Sequence, residues 1–243
     1  MSAIETKNLT KRYKDKRAVD GLNLSVEEGE LFALLGVNGA GKTTTIRMLS
    51  CLSEPDKGEC FVGGHSCTRE SGRVKRLIGV SPQETAVAEN LTARENLELM
   101  CGIYGLSKEE TKRRISEMTE LFGLDEAKGR AKTLSGGWKR KLSIAMALIS
   151  SPKVLFLDEP TLGLDVLARR ELWKVIKSLK GKITVILTTH YMEEAEQLSD
   201  RIAIMIMGKI AAQGTLAEIE ALTGEKGLEN AFVKIAEGGK THE

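Results

Sequence analysis

The segment Gly36-Val37-Asn38-Gly39-Ala40-Gly41-Lys42-Thr43 has the spacing of a glycine, four residues, a glycine, a lysine and a hydroxyl side chain. An apolar run, Leu31–Leu35, feeds into it, and helical spacing follows from Thr43 to Leu52. In that context each residue type has a chemical use. The glycines let the backbone turn tightly, so that successive N–H groups point at phosphate oxygens. The helix that follows adds its positive end. Lys42 can reach terminal phosphates, and the Thr43 hydroxyl can ligate Mg²⁺. Further along, Val154-Leu155-Phe156-Leu157 runs directly into Asp158-Glu159-Pro160. A buried strand ending in two carboxylates puts them at the carboxyl edge of a parallel sheet, where α/β ligands bind. Successive residues point apart, which suits two roles. Asp158 is placed to hold a metal ion, and Glu159 to orient or deprotonate an attacking water.

These residues need a frame. Short apolar runs at Leu31–Leu35, Val154–Leu157, Ile183–Leu187 and Ile202–Met207 read as buried strands of a mostly parallel sheet. From about Glu84 to Ser150 strand signals vanish. Thr92 and Glu95 form a capping box opening Asn96–Tyr104, and Ser107 and Glu110 form another, opening a helix to about Phe122. Gly123 ends that pattern, and a third helical stretch covers Trp138–Ser150. A further helix is expected at Val166–Leu179, with short ones at Leu216–Leu222 and Leu228–Ala236 and a frayed end at Glu237–Glu243. The fold class is α/β, with a helical block about 84–150 inserted in the core of a domain spanning 1–225, and a short tail from 226 to 243.

Composition removes several functions. The chain of 243 residues carries 36 Lys+Arg against 34 Asp+Glu, with 41% hydrophobic and 29% charged residues. That balance excludes a disordered chain and gives no reason to expect a nucleic-acid partner. No apolar run approaches the roughly 20 residues that cross a bilayer. Four cysteines without metal-ligand spacing read as reduced thiols.

A third segment, Leu134-Ser135-Gly136-Gly137-Trp138, precedes the acidic strand. Alone, Ser135 reads as an ordinary N-cap. Between the other two motifs it resembles the signature Leu-Ser-Gly-Gly-Gln of the nucleotide-binding domains of ATP-binding-cassette (ABC) transporters. Other matches come in the family's order: Tyr13 as the aromatic that stacks on adenine, Gln83 in Ser81-Pro82-Gln83 as the Q-loop, Gly163-Leu164-Asp165 as the D-loop and His190 as the switch histidine. Trp138 departs from the usual glutamine, and Val166 stands where many relatives have proline.

The resemblance implies a P-loop NTPase core of RecA-like type, with a helical subdomain and a small antiparallel β part near the N-terminus. It implies an ATPase using ATP and Mg²⁺. Glu159, His190 and Gln83 would be catalytic, and Thr43, Gln83 and Asp158 would hold the metal. Nucleotide contacts fall to Tyr13, to Gly36, Asn38, Gly39, Ala40, Gly41, Lys42, Thr43 and Thr44, and to Ser135, Gly136, Gly137 and Asp165. The last four would act across a head-to-tail dimer with a second nucleotide-binding subunit. Separate transmembrane permease subunits would dock on the helical insert and the Gln83 region, holding the chain at the cytoplasmic face of the membrane. The segments Ile78–Gln83, Leu91–Leu97 and Leu134–Ala147, and a tail like Leu228–Phe232, are most similar to the drug-, polysaccharide- and haem-exporter branch. A soluble ATPase of the same family, such as an iron–sulfur assembly type, is the alternative.

Overall fold

Uninterrupted apolar runs need cover on both faces, and a six-stranded sheet provides it. The computed structural model describes residues 2–238. Two long strands open the chain, β1 (Ser2–Tyr13) and β2 (Lys16–Glu27), followed by β3 (Leu31–Leu35) and helix α1 (Lys42–Leu49). Strands β4 (Lys57–Val62) and β5 (His65–Ser66), helix α2 (Ser71–Leu77) and strand β6 (Ile78–Ser81) come next. Helices α3 (Ala93–Ile103), α4 (Lys108–Phe122) and α5 (Gly136–Leu148) then precede β7 (Val154–Asp158) and α6 (Val166–Leu179). The chain finishes with β8 (Thr184–Thr189), α7 (Met192–Leu198), β9 (Arg201–Ile206), β10 (Lys209–Gly214), α8 (Leu216–Thr223) and α9 (Leu228–Gly238). The last part of the segment expected to fray, 239–243, lies outside the described residues.

The large sheet has the order β10-β9-β3-β8-β7-β6, parallel except for the β9–β10 edge pair. Its side chains alternate between two cores. Leu31, Ala33 and Leu35 of β3 face a cluster with the helices, including Leu97, Phe122, Leu142 and Ile176. Phe32 and Leu34 face the opposite way, onto α1 and a second sheet of order β2-β1-β4-β5. That second sheet is antiparallel throughout. Two stacked cores of fully buried Leu, Ile and Phe side chains, each worth about 1.5–3 kcal/mol of transfer energy, hold the layers together.

Local signals fix the helix ends. Both expected capping boxes close, Thr92 with Glu95 and Ser107 with Glu110. Gly123 adopts φ 67 at the end of α4, a left-handed C-cap that suits glycine. α5 starts at Gly136, two residues before the expected Trp138, because Ser135 caps it. α9 belongs to the core, burying Leu228, Ala231 and Phe232 in the same cluster as the parallel strands. No helix of the described residues is long and apolar enough to cross a membrane.

Candidate functional site

The loop 36–41 turns at the carboxyl end of β3 and delivers the chain into α1. Its shape depends on two glycines. A Cβ on Gly36 would meet the Met205 carbonyl oxygen at 2.4 Å. Gly41 has φ 111, and a Cβ there would lie 2.2 Å from the Ala18 carbonyl oxygen. No other residue type fits either position without moving backbone. Gly36 N–H donates to Thr189 O at 3.2 Å, anchoring the loop to the end of β8. The first turn of α1 has no acidic residue and no side-chain cap, so its N–H groups and helix dipole face the cleft.

Lys42 and Glu159 meet there, each only 5% exposed. Lys42 Nζ lies 3.1 Å from Glu159 Oε1 and donates to Gly36 O at 2.7 Å. The other carboxylate oxygen of Glu159 is 2.7 Å from His190 Nδ1. One carboxylate therefore links the loop's lysine to the histidine beyond β8. Its backbone is constrained as well. Glu159 has φ 49, a left-handed conformation unusual for glutamate. Its N–H is held by Thr188, through O at 3.1 Å and Oγ1 at 3.0 Å. A strained, over-determined residue of this kind is characteristic of functional sites.

Asp158 points the other way, as the strand alternation requires. Its Oδ1 accepts from Thr43 Oγ1 at 3.1 Å and from Thr188 Oγ1 at 2.5 Å. This cluster of hydroxyl and carboxylate oxygens fits a hard cation. Mg²⁺ typically takes one or two carboxylates and completes its shell with water and substrate phosphate, so a single carboxylate beside Thr43 suffices.

Together these groups border a pocket of about 450 Å³. Asn38, Gly39, Gly41, Lys42, Thr43 and Thr44 form its floor, and Gln83, Glu159 and His190 one wall. Tyr13 stands at the opposite rim, 46% exposed. Gly36, Ala40 and Asp158 support the floor from below without lining the pocket. Gln83 reaches the pocket from the loop after β6, and its side-chain amide makes no hydrogen bond among the described residues.

The remaining expected residues lie elsewhere. Ser135 caps α5 by accepting from Trp138 N–H at 3.4 Å. With Gly137 and Trp138 it borders a separate groove of about 240 Å³, walled by Ala168 and Glu171 of α6. Asp165 caps α6 through Leu167 N–H and Ala168 N–H, both at 2.9 Å. The ring of Trp138 carries the Lys141 ammonium 4.5 Å from its centroid, and Lys141 also pairs with Glu171 at 2.8 Å. Within one chain this second group does not join the pocket.

Four residues of the site were not singled out in the sequence. Lys16, Ala18 and Leu162 also line the pocket. Lys16 stands opposite Tyr13 across the β1–β2 hairpin, a pairing that only strand register reveals. Thr188 binds both Asp158 and Glu159, yet in sequence it is one threonine at the end of an apolar run.

The profile of the ABC transporter family matches residues 19–162. The chain belongs to the ABC transporter family. Its place there is among the ATP-binding subunits. It is 46% identical over 228 residues to the daunorubicin/doxorubicin resistance ATP-binding protein DrrA of Streptomyces peucetius, covering 93% of this chain and 69% of that protein. The linearmycin resistance ATP-binding protein LnrL of Bacillus subtilis is 44% identical over 218 residues, covering 89% and 70%. Among solved structures, an ATP-binding subunit of an ABC transporter superposes with a TM-score of 0.87 at 32% identity, covering 96% of this chain and 99% of that one. A dimeric ATP-binding cassette in a post-hydrolysis state, bound to ADP and phosphate, matches with a TM-score of 0.79 at 30% identity, covering 88% and 98%. The P-loop ATPase fold of the family is thus the fold of this chain.

Proposed function

We propose that this ABC ATPase hydrolyses ATP in a Mg²⁺-dependent reaction and couples it to drug-type export through separate transmembrane subunits. The observation that carries the reading is the relay from buried Lys42 and Glu159 to half-buried His190 at the mouth of the glycine loop, with Thr43, Asp158 and Thr188 beside it.

In this reading the loop N–H groups and Lys42 bind the phosphates, and Tyr13 stacks on the adenine. Lys42 leaves the Glu159 carboxylate for the terminal phosphate, freeing that carboxylate to take a proton from the attacking water. His190 steadies Glu159 and donates toward the terminal phosphate. Thr43, Asp158 and Gln83 hold Mg²⁺, which when bound neutralises phosphate charge. Thr188 fixes both acidic residues through its hydroxyl and carbonyl. Ser135, Gly136, Gly137 and Asp165 act on nucleotide held by a second subunit in a head-to-tail dimer. The names of the resistance ATP-binding relatives support export, and a peripheral position at the membrane, over the soluble alternative.

Phosphate release by the purified protein tests the core of this. Glu159→Gln should bind ATP and lose about 10²–10⁴-fold in turnover, the range for removing a general base. Chelating Mg²⁺ should abolish turnover in the unsubstituted protein. Turnover unchanged by Glu159→Gln would remove Glu159 from the chemistry.

A further inference from the structure

Three of the four cysteines converge on the far end of α1, away from the pocket. Cys51 follows the helix, with its N–H on Met48 O at 3.1 Å. Cys60 lies in β4 and Cys67 just beyond β5, joined by a Cys67 N–H to Cys60 O hydrogen bond of 2.9 Å. Their thiols reach back to consecutive carbonyls of the last helical turn. Cys60 Sγ lies 4.0 Å from Met48 O, and Cys67 Sγ 3.6 Å from Leu49 O. The Cys67 side chain also interacts with those of both Cys51 and Cys60, so the three thiols form one group.

Packing alone accounts for Cys60 and Cys67, which are 2% and 4% exposed and behave as small apolar residues. It does not account for the third. Cys51 is half-buried, so one member of the group borders solvent. All four cysteines are free thiols. We propose that Cys51 and Cys67 form a modification site, a dithiol that a small-molecule disulfide such as glutathione disulfide converts into a bond between the end of α1 and the antiparallel sheet.

The electrostatics divide the roles. Contact with the Cys67 thiol, and to a lesser extent the Lys75 ammonium, holds the Cys51 thiol below its ordinary range. Hydrogen bonding to its two neighbours, together with burial, pushes Cys67 up. The half-buried thiol is thus the nucleophile and the buried one the resolving partner. Cys51 thiolate attacks one sulfur of the glutathione disulfide, whose S–S bond breaks, and one glutathione leaves as thiolate and takes up the proton lost by Cys51. Cys67 then attacks the Cys51 sulfur of the mixed disulfide, passing its proton to the second departing glutathione. Two protein thiols lose two electrons in total, and one disulfide becomes two thiols. Cys101, 1% exposed and in a different core, has no part in this and serves as an internal control.

The full chain, freed of reductant and treated with glutathione disulfide, should lose the mass of two hydrogens and retain no adduct. Trypsin should then release peptide 48–57 joined to peptide 58–69, with fragmentation placing the bond at Cys67 and Cys101 still open to alkylation. Cys60→Ser should form the same bond. Cys51→Ser should not react, and Cys67→Ser should stop with glutathione on Cys51. A persistent glutathione adduct on unsubstituted Cys51, a bond to Cys60 or Cys101, or four unreacted thiols would each overturn the proposal. The peptide map of the unsubstituted protein decides the matter even where a variant fails to fold.

Discussion

Glu194 stands behind the site and is fully buried on α7. One oxygen accepts the Trp173 indole N–H at 3.0 Å, and Oε2 has no partner among the described residues. Thr161 and Thr189 hydroxyls stand next to the carboxyl without closing well-formed hydrogen bonds. Burial, reinforced by the charge of Glu159, raises its pKa above the ordinary carboxylate value. The folded chain therefore holds this proton more tightly than the unfolded chain. Stability linked to Glu194 is fully present below the unfolded pKa and is lost as pH rises through the higher folded one. Glu194→Gln keeps the neutral shape and removes the proton. Denaturant midpoints measured from acid to neutral pH should fall less for Glu194→Gln than for the parent, and parallel curves would show that Glu194 does not titrate there. The sequence signals this poorly, because Glu193, Glu194 and Glu196 are adjacent acids and nothing in the string says which one turns inward. Lys42, Glu159 and His190 were legible, because each stands beside a strand end or glycine loop that fixes its direction. Thr188 was not, because its partners Asp158 and Glu159 lie at the end of another strand, and Lys16 was not, because its place depends on the register of the β1–β2 hairpin.

At the scale of elements, the link that matters most runs between α5 and the loop after β6. Arg140 of α5 is 4% exposed and donates to Pro82 O at 2.6 Å and to Gln83 O. Ser143 one turn later meets Ser81 Oγ at 2.9 Å. The helix that begins at Ser135 is thereby tied to the segment that carries Gln83 into the pocket. Burial lowers the Arg140 pKa, and the charges of Asp158 and Glu194 offset that. The planar guanidinium serves two carbonyls at once, which one ammonium on a shorter reach does not. Arg140→Lys should destabilise the chain by about 1.5–3 kcal/mol, the size of a hydrogen bond to a charged group. A denaturant midpoint equal to the parent's would show that the two carbonyls do not depend on the fork. Helices of this block were readable because capping boxes and Gly123 mark their ends locally. The antiparallel layer was less so. β1 and β2 run 12 residues each with several register shifts, so their alternation breaks repeatedly. β6 is four residues long, too short for its apolar pattern to stand out.

At the scale of the whole molecule, two concavities carry the motif residues and do not meet. One is the pocket above the glycine loop, and the other is the groove beside Ser135, bordered by Trp138 and α6. If two copies close head to tail, each groove covers the other's pocket, and the helix end at Ser135 supplies N–H groups to the bound phosphate. A large cation at that position should block closure without touching the pocket of its own chain. The arrangement calls for a slow-turnover background, so the comparison uses Glu159→Gln with and without Ser135→Arg. With ATP and Mg²⁺, light scattering should give a dimer for the first and a monomer for the second, with nucleotide affinity of the monomer unchanged. Trp138 offers an independent reading. The chain has two tryptophans, and Trp173 is only 7% exposed, so acrylamide quenching reports mainly Trp138. Quenching should drop on adding ATP to Glu159→Gln and stay constant once Ser135→Arg is present. A Ser135→Arg protein that dimerises as its parent does, with Trp138 equally shielded, would mean that the Ser135 groove takes no part in closing the pocket.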